Sequence, residues 1–308
     1  MAERIRVAAL VGATAVGKTE VSLALAATLG AEIVSMDSMQ AYRGMDIGTA
    51  KPERAVLESI PHHLIDVFEP DEDVSVARFR DLARAAIDDV AGRGRLPLLV
   101  GGSGLYFRAI VDDLRFPPRS PDVRVSLEQE VEEAGADLLY RRLAEVDPAA
   151  AAKIEPANAR RIVRALEVIE LTGRPFSEND AWDKFESRYD LAVAGLFMDR
   201  AVLYERIAAR VDQMLDAGLV EEVRGLQESG LGRTASQALG YKQVIEAGPD
   251  PDQDAVREAI VRATKRFARR QESWFRADPR VRWFEAAQPG LQEALTHFFN
   301  PASRPAPA

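Results

Sequence analysis

The sequence predicts an α/β fold: a parallel sheet flanked by helices, with an all-helical domain inserted into it. Three observations carry that expectation. Short continuous apolar runs alternate with segments of helical period in the first third of the chain. A glycine loop sits between the first such run and the first helix. From about Pro117 to Ser187 the pattern turns helical only, and an apolar run then returns. In order, Ile5 to Val11 reads as a strand, and Lys18 to about Leu29 as a helix with Val21, Leu25 and Leu29 on one face. Ala31 to Ser38 holds a second short buried strand, Val76 to about Ala91 an amphipathic helix, and Arg95 to Gly104 a third strand ending in glycines. The strand pattern resumes at Tyr189 to Arg200, and helices follow to about Phe299. The expected organisation is a core in two parts, 1–116 and 188–299, a helical insertion over 117–187 and a disordered tail over 300–308.

Composition narrows the function classes. The chain has 308 residues, 47% hydrophobic and 29% charged, with 20 Gly and 17 Pro, an ordinary globular make-up. It contains no Cys, which excludes disulfides, a thiolate nucleophile and Cys-based metal sites. The apolar run Val7 to Val11 is too short for a signal-peptide core or a membrane span, so a cytoplasmic setting is expected. A formal charge of −9 argues against a surface that grips phosphate backbones on every side. Charge is nonetheless segregated. Between Val256 and Arg282 nine basic residues stand against three acidic ones, a net of +6 that leaves −15 for the remainder. On a helical wheel Val256, Ile260, Ala263, Phe267 and Trp274 fall opposite Arg262, Lys265, Arg266 and Arg269. This suits capture of a nucleic acid by one face, with Trp274 read as core.

Gly12, Ala13, Thr14, Ala15, Val16, Gly17, Lys18 and Thr19 satisfy G-x-x-x-x-G-K-[ST] between a strand and a helix, the P-loop. Backbone N–H groups there wrap phosphate oxygens, Lys18 reaches terminal phosphates and Thr19 is a ligand for Mg²⁺. The third strand runs into Gly101 and Gly102 without the carboxylate of an ATPase, which favours a loop that holds a diphosphate while chemistry occurs at its other end. Asp37 follows the second strand, where open α/β sheets place ligands. It reads equally as a general base or as a turn cap. His62, His63 and Asp66 have no recognised metal spacing, and a structural role is expected for them.

The segment DSMQAYRGMDIGTAKP, beginning at Asp37, resembles the hallmark of the tRNA dimethylallyltransferases. GATAVGKT, PHHLID, GGSGLYFRAI, RRIVRALEV with TGRP, QALGYKQ and TKRFARRQESWFR are similar to further blocks of that family in the same order, over roughly residues 5 to 285. Ala13 departs from the family's usual Pro and Ser103 from its usual Thr; neither change removes a phosphate-binding group. The resemblance implies transfer of the allyl group of dimethylallyl diphosphate to the exocyclic amine of the adenosine 3′ to the anticodon, with release of diphosphate. It implies Asp37 as the group that accepts the amine proton, Lys18, Thr19 and Arg224 as catalytic partners of the diphosphate, and Mg²⁺ as the metal. It further implies tRNA contacts at Asp37, Ser38, Met39, Gln40 and Ser103, and on the insertion at Arg160, Arg161, Ile162, Val163 and Arg164. The partners are then the tRNA anticodon stem-loop and dimethylallyl diphosphate, with no membrane; nothing demands more than a monomer. Two rivals share the P-loop: a small-molecule kinase and a prenyltransferase acting on free AMP or ADP.

Overall fold

The computed structural model describes residues 4–114, 116–178, 184–250 and 252–300. In chain order the elements are β1 Arg6–Gly12, α1 Lys18–Leu29, β2 Ala31–Ser35, α2 Arg54–Ser59, β3 His62–His63, α3 Val76–Gly92, β4 Leu96–Gly101 and α4 Gly104–Val111. Then follow α5 Pro121–Ala134, α6 Ala136–Val146, α7 Pro148–Ala151 and α8 Ala159–Thr172. The remainder are β5 Asp190–Phe197, α9 Arg200–Asp216, α10 Leu219–Ser229, α11 Tyr241–Ala247, α12 Gln253–Arg276, β6 Val281–Glu285 and α13 Leu291–Phe299. All strand pairs are parallel and run in the order β3-β2-β4-β1-β5-β6.

The central strands are apolar on both faces because helices cover both. Val7, Ala9 and Val11 of β1 join a core with Phe79, Ile87, Phe107 and Phe275, while Ala8 and Leu10 join another with Leu25, Leu98, Leu295 and Phe299. That two-sided burial explains why these strands read as unbroken apolar runs. The edge strands β3 and β6 are absent from the sequence expectation. β3 has two residues, and β6 alternates buried Phe284 with exposed Arg282 and Glu285, so both lack the run that marks a central strand.

Residues Asp113–Phe185 form a separate compact unit. Its core gathers Leu127, Leu139, Leu143, Ile162, Val163 and Leu166 from α5, α6 and α8. The unit begins before Pro117 and ends before Ser187. Within it Arg164 donates to the carbonyls of Pro117 and Pro118 at 2.8 and 2.9 Å. Ser187 belongs to the core unit: it forms a bridge to Asp112, and its hydroxyl reaches the Val111 carbonyl at 3.3 Å. The chain therefore leaves and re-enters the core unit at one place. Asp112 is 2% exposed there, its carboxylate held by Arg108 and Arg280 and its carbonyl by Arg84 at 2.6 Å. Apart from Asn300, the expected tail lies outside the described residues.

Candidate active site

Four sheet connections meet at the carboxyl ends of the strands: the phosphate loop after β1, Asp37 after β2, Gly102 and Ser103 after β4, and α9 after β5. They surround a cavity with two halves. The polar half, about 450 Å³, is lined by Thr14, Ala15, Gly17, Lys18 and Thr19, with Arg206 and Arg210 facing them from α9. The other half, about 350 Å³, is lined by Met39, Ile207, Val211, Met214 and Ile260, with Ser38 and Ser103. Asp37, Thr14, Gly102, Arg210, Phe267 and Gln271 border both.

Lys18 folds back so that its ammonium donates to the carbonyls of Gly12 and Ala13 at 3.0 and 2.7 Å. Enclosure, and next the Arg210 guanidinium, lower its pKa to about 7, with Asp37 opposing the shift. Enclosure also pushes Arg210 below its ordinary value. Two such cations side by side on a loop of backbone donors make a strong anion seat. An anion arriving there favours the protonated lysine, so binding draws a proton onto Lys18 at pH values above about 7 and none well below it. Titration of the protein with inorganic diphosphate at pH 8, in two buffers of different ionisation enthalpy, is expected to show more proton uptake for wild type than for Lys18→Met. Equal uptake would exclude Lys18 as the source.

Asp37 caps the turn after β2 and also faces the cavity. One carboxylate oxygen accepts the Met39 N–H at 3.0 Å, capping the turn, while the side chain also borders the cavity. The loop beyond it is held from behind. Glu222 of α10 accepts the backbone N–H groups of Asp46, Ile47 and Gly48 at 3.0, 2.8 and 3.2 Å, and the Tyr241 hydroxyl donates to the same carboxylate. A Cβ on Gly48 would overlap the Tyr241 ring, so the loop reaches this brace only with glycine there. From the other side Lys51, almost fully buried, donates to the Tyr42 carbonyl at 2.9 Å and to Asp66 at 2.6 Å.

The remaining expected site residues divide. Gly12, Ala13 and Val16 are buried beneath the loop and act through its backbone, whereas Thr19 is exposed. Gln40 borders the polar half, and its amide is engaged by the carbonyls of Thr49 and Ala50 at 3.2 and 3.3 Å. Arg224 lies elsewhere: exposed on α10, it donates to the Pro249 carbonyl at 2.6 Å and does not line the cavity. The guanidinia that do are Arg206 and Arg210 in the polar half, and Arg210 and Arg270 in the other. The signal in the sequence for the α9 pair is partial: Arg206 and Arg210 stand four residues apart on one helix face after a strand, a spacing that a solvated face shows equally.

On the inserted unit, Arg160 and Arg161 are exposed. Ile162 and Val163 are 0% and 1% exposed in its core, so their side chains cannot touch an RNA. Arg164 is occupied by Pro117, Pro118 and by Glu167 at 2.8 Å. On α12, Val256, Ile260 and Ala263 are buried and Arg262, Arg266, Arg269 and Arg270 exposed. Trp274 departs from the core reading at 38% exposure, lying against Gly104, where a Cβ would meet its ring. His63 contacts Glu32 at 2.8 Å, and Glu32 also pairs with Arg93, an edge-strand tie. Among the described residues no group of three His, Cys, Asp or Glu could hold a metal, and no helix is long and apolar enough to cross a membrane.

Comparison with known proteins meets this geometry. The model of the IPP transferase family matches residues 40–278, and that of isopentenyl transferases residues 5–70. A tRNA dimethylallyltransferase of Streptomyces coelicolor is 54% identical over 281 residues, 90% of this chain and 89% of its own. One from Thermobifida fusca is 53% identical, over 92% and 91%. The crystal structure of the tRNA isopentenylpyrophosphate transferase of Bacillus halodurans superposes with a TM-score of 0.69 at 41% identity, covering 96% and 94%. A eukaryotic dimethylallyltransferase, solved in crystallographic snapshots of its action on tRNA, superposes at 0.78 and 26% identity, covering 94% and 77%. With a family model spanning most of its length and relatives above 50% identity along it, the chain belongs to the IPP transferase family, the tRNA dimethylallyltransferases.

Proposed function

We propose that the protein transfers the dimethylallyl group of dimethylallyl diphosphate to the exocyclic amine of the adenosine 3′ to the anticodon in tRNA. The observation that carries this is the divided cavity: a cationic phosphate seat joined to an apolar chamber, with one carboxylate at the junction. A diphosphate seated on the loop and on Lys18, Arg206 and Arg210 sends its five-carbon group toward Ile207, Val211 and Met214. The reacting carbon then lies near Asp37. As the carbon–oxygen bond breaks, its electron pair leaves with the diphosphate, whose growing charge the cations stabilise. The amine lone pair forms the new carbon–nitrogen bond, and Asp37 takes the amine proton through the carboxylate oxygen that the Met39 N–H leaves available.

The donor set suits Mg²⁺ held chiefly by ligand oxygens. Thr19 offers a hydroxyl at the seat and, among the described residues, no carboxylate cluster competes, matching a cation that keeps its waters and binds through phosphates. Bound there, the metal would supply charge neutralisation of the leaving group. The target base must leave its loop to enter the chamber, as single-stranded bases can. Ser38, Met39 and Ser103 are assigned to it, and Arg160, Arg161 and the basic face of α12 to the surrounding RNA. These faces, more than the phosphate loop, favour tRNA over free AMP as acceptor.

The test is incubation with unmodified tRNA, Mg²⁺ and labelled dimethylallyl diphosphate, followed by digestion and mass spectrometry for prenylated adenosine. Product at the position 3′ to the anticodon is expected; transfer to AMP instead, or label from the γ-phosphate of ATP, would overturn the reading. Raising salt from 50 to 200 mM is expected to weaken tRNA binding at least tenfold and diphosphate binding far less. Equal sensitivity would count against an extended RNA footprint.

A further inference from the structure

Gln271 of α12 borders both halves of the cavity, is 7% exposed, and accepts the Thr14 N–H of the phosphate loop on its Oε1 at 2.9 Å. A backbone N–H can be met only by the carbonyl end of an amide, so this contact fixes which way the side chain faces. Its NH₂ end then points toward Gly102, on the far side of the junction. A Cβ on Gly102 would overlap that nitrogen, so the turn after β4 is bare where the amide arrives. Among the described residues no protein acceptor meets the NH₂ group, and its nitrogen is not among the fully buried side-chain atoms that lack one, so it is not sealed from the cavity. A neutral donor, oriented by the phosphate loop itself, therefore faces the place where the polar and apolar halves meet.

We propose that Gln271 is a further catalytic residue, whose NH₂ group donates to the α-phosphate oxygen from which the allyl carbon departs. This rests on the polar half being the diphosphate seat. Breaking that carbon–oxygen bond leaves its electron pair on the oxygen, and a fixed donor there stabilises the transition state more than the ground state, without itself changing protonation. Lys18, Arg206 and Arg210 come from α1 and α9, whereas Gln271 approaches from α12, with its amide against the turn after β4. The residue also lies on the helix whose exposed face carries Arg262, Arg266 and Arg269, so one rigid element bears both an RNA-facing charge stripe and a donor to the leaving group.

The experiment compares Gln271→Glu and Gln271→Met with wild type, each checked by thermal melting, in single-turnover transfer to tRNA. Gln271→Glu keeps an acceptor for Thr14 but lacks the donor when ionised; Gln271→Met lacks both. About a hundredfold loss of the transfer rate is expected for each at pH 8, the size seen for removal of one such donor. As the pH is lowered toward 5 the Gln271→Glu rate should recover relative to wild type, because a protonated Glu donates again, whereas Gln271→Met should not recover. A wild-type rate in Gln271→Glu at pH 8 would overturn the proposal, reducing the residue to a brace for Thr14. A wild-type rate in Gln271→Met would overturn it as well. Inorganic diphosphate as an inhibitor separates this from the underlying reading. Wild type that is not inhibited would sink the assignment of the seat. Inhibition equal in wild type and Gln271→Glu at pH 8 would sink the role of Gln271 alone.

Discussion

Asp37→Asn is expected to lower the rate of prenyl transfer by about 10²–10⁴-fold, the usual contribution of a positioned general base, with tRNA binding largely kept. Asparagine is the informative replacement. Its carbonyl still accepts the Met39 N–H, so the turn that opens the Asp37–Pro52 segment survives, and only proton acceptance is lost. Asp37→Ala removes both and should also loosen the loop that Glu222 and Lys51 hold. Single-turnover rates at saturating allyl diphosphate, with tRNA affinity measured in parallel, test the assignment. An Asp37→Asn rate within a few fold of wild type would leave the carboxylate only its capping role.

Arg210→Ala should be nearly as severe through a different parameter. The guanidinium borders both halves of the cavity and is held below its ordinary pKa by enclosure, so it is poorly solvated before substrate arrives. Its loss should raise KM for the allyl diphosphate and lower kcat together, for a combined fall in kcat/KM of about 10²–10³-fold. Arg210→Lys keeps charge without the planar fork and should recover only part of it. Removing Arg210 also takes away a neighbour that depresses Lys18, whose pKa should then rise from about 7. Arg224→Ala, by contrast, removes an exposed side chain bonded to a loop carbonyl and is the natural control. Steady-state kinetics of the three variants distinguish these cases, and an Arg210→Ala enzyme with wild-type kcat/KM would remove α9 from the diphosphate site.

The parts of the structure legible in the sequence are those where burial is continuous. β1, β2, β4 and β5 are central, covered on both faces, and so appear as apolar runs, and the phosphate loop is spelled by residue types that only its geometry requires. What escaped reading depends on contacts between distant segments. Arg206 and Arg210 look like the solvated side of an amphipathic helix until β5 delivers that helix to the site edge. Ile162 and Val163 share a motif with their arginine neighbours, but their apolar side chains turn inward as a helix of period 3.6 demands. Trp274 falls on the apolar side of the wheel, yet the core narrows at Gly104 and leaves part of the indole in solvent. Gln271 carries no signal at all in one dimension, since its meaning lies in Thr14 and Gly102.

The fastening of Asp112 to Ser187 has a consequence for the order of folding. β5 must pair with β1 in the middle of the sheet, Ala8 beside Ala192, across most of the chain. Such a non-local pairing is slow because the intervening segment loses loop entropy before any contact rewards it. The inserted unit, with its own core and short-range helical contacts, can form early and independently. Since its two ends must converge on one bridge, an insertion that folds first shortens the flexible link between α4 and β5, so that the last central strand arrives at the sheet already tethered beside its berth.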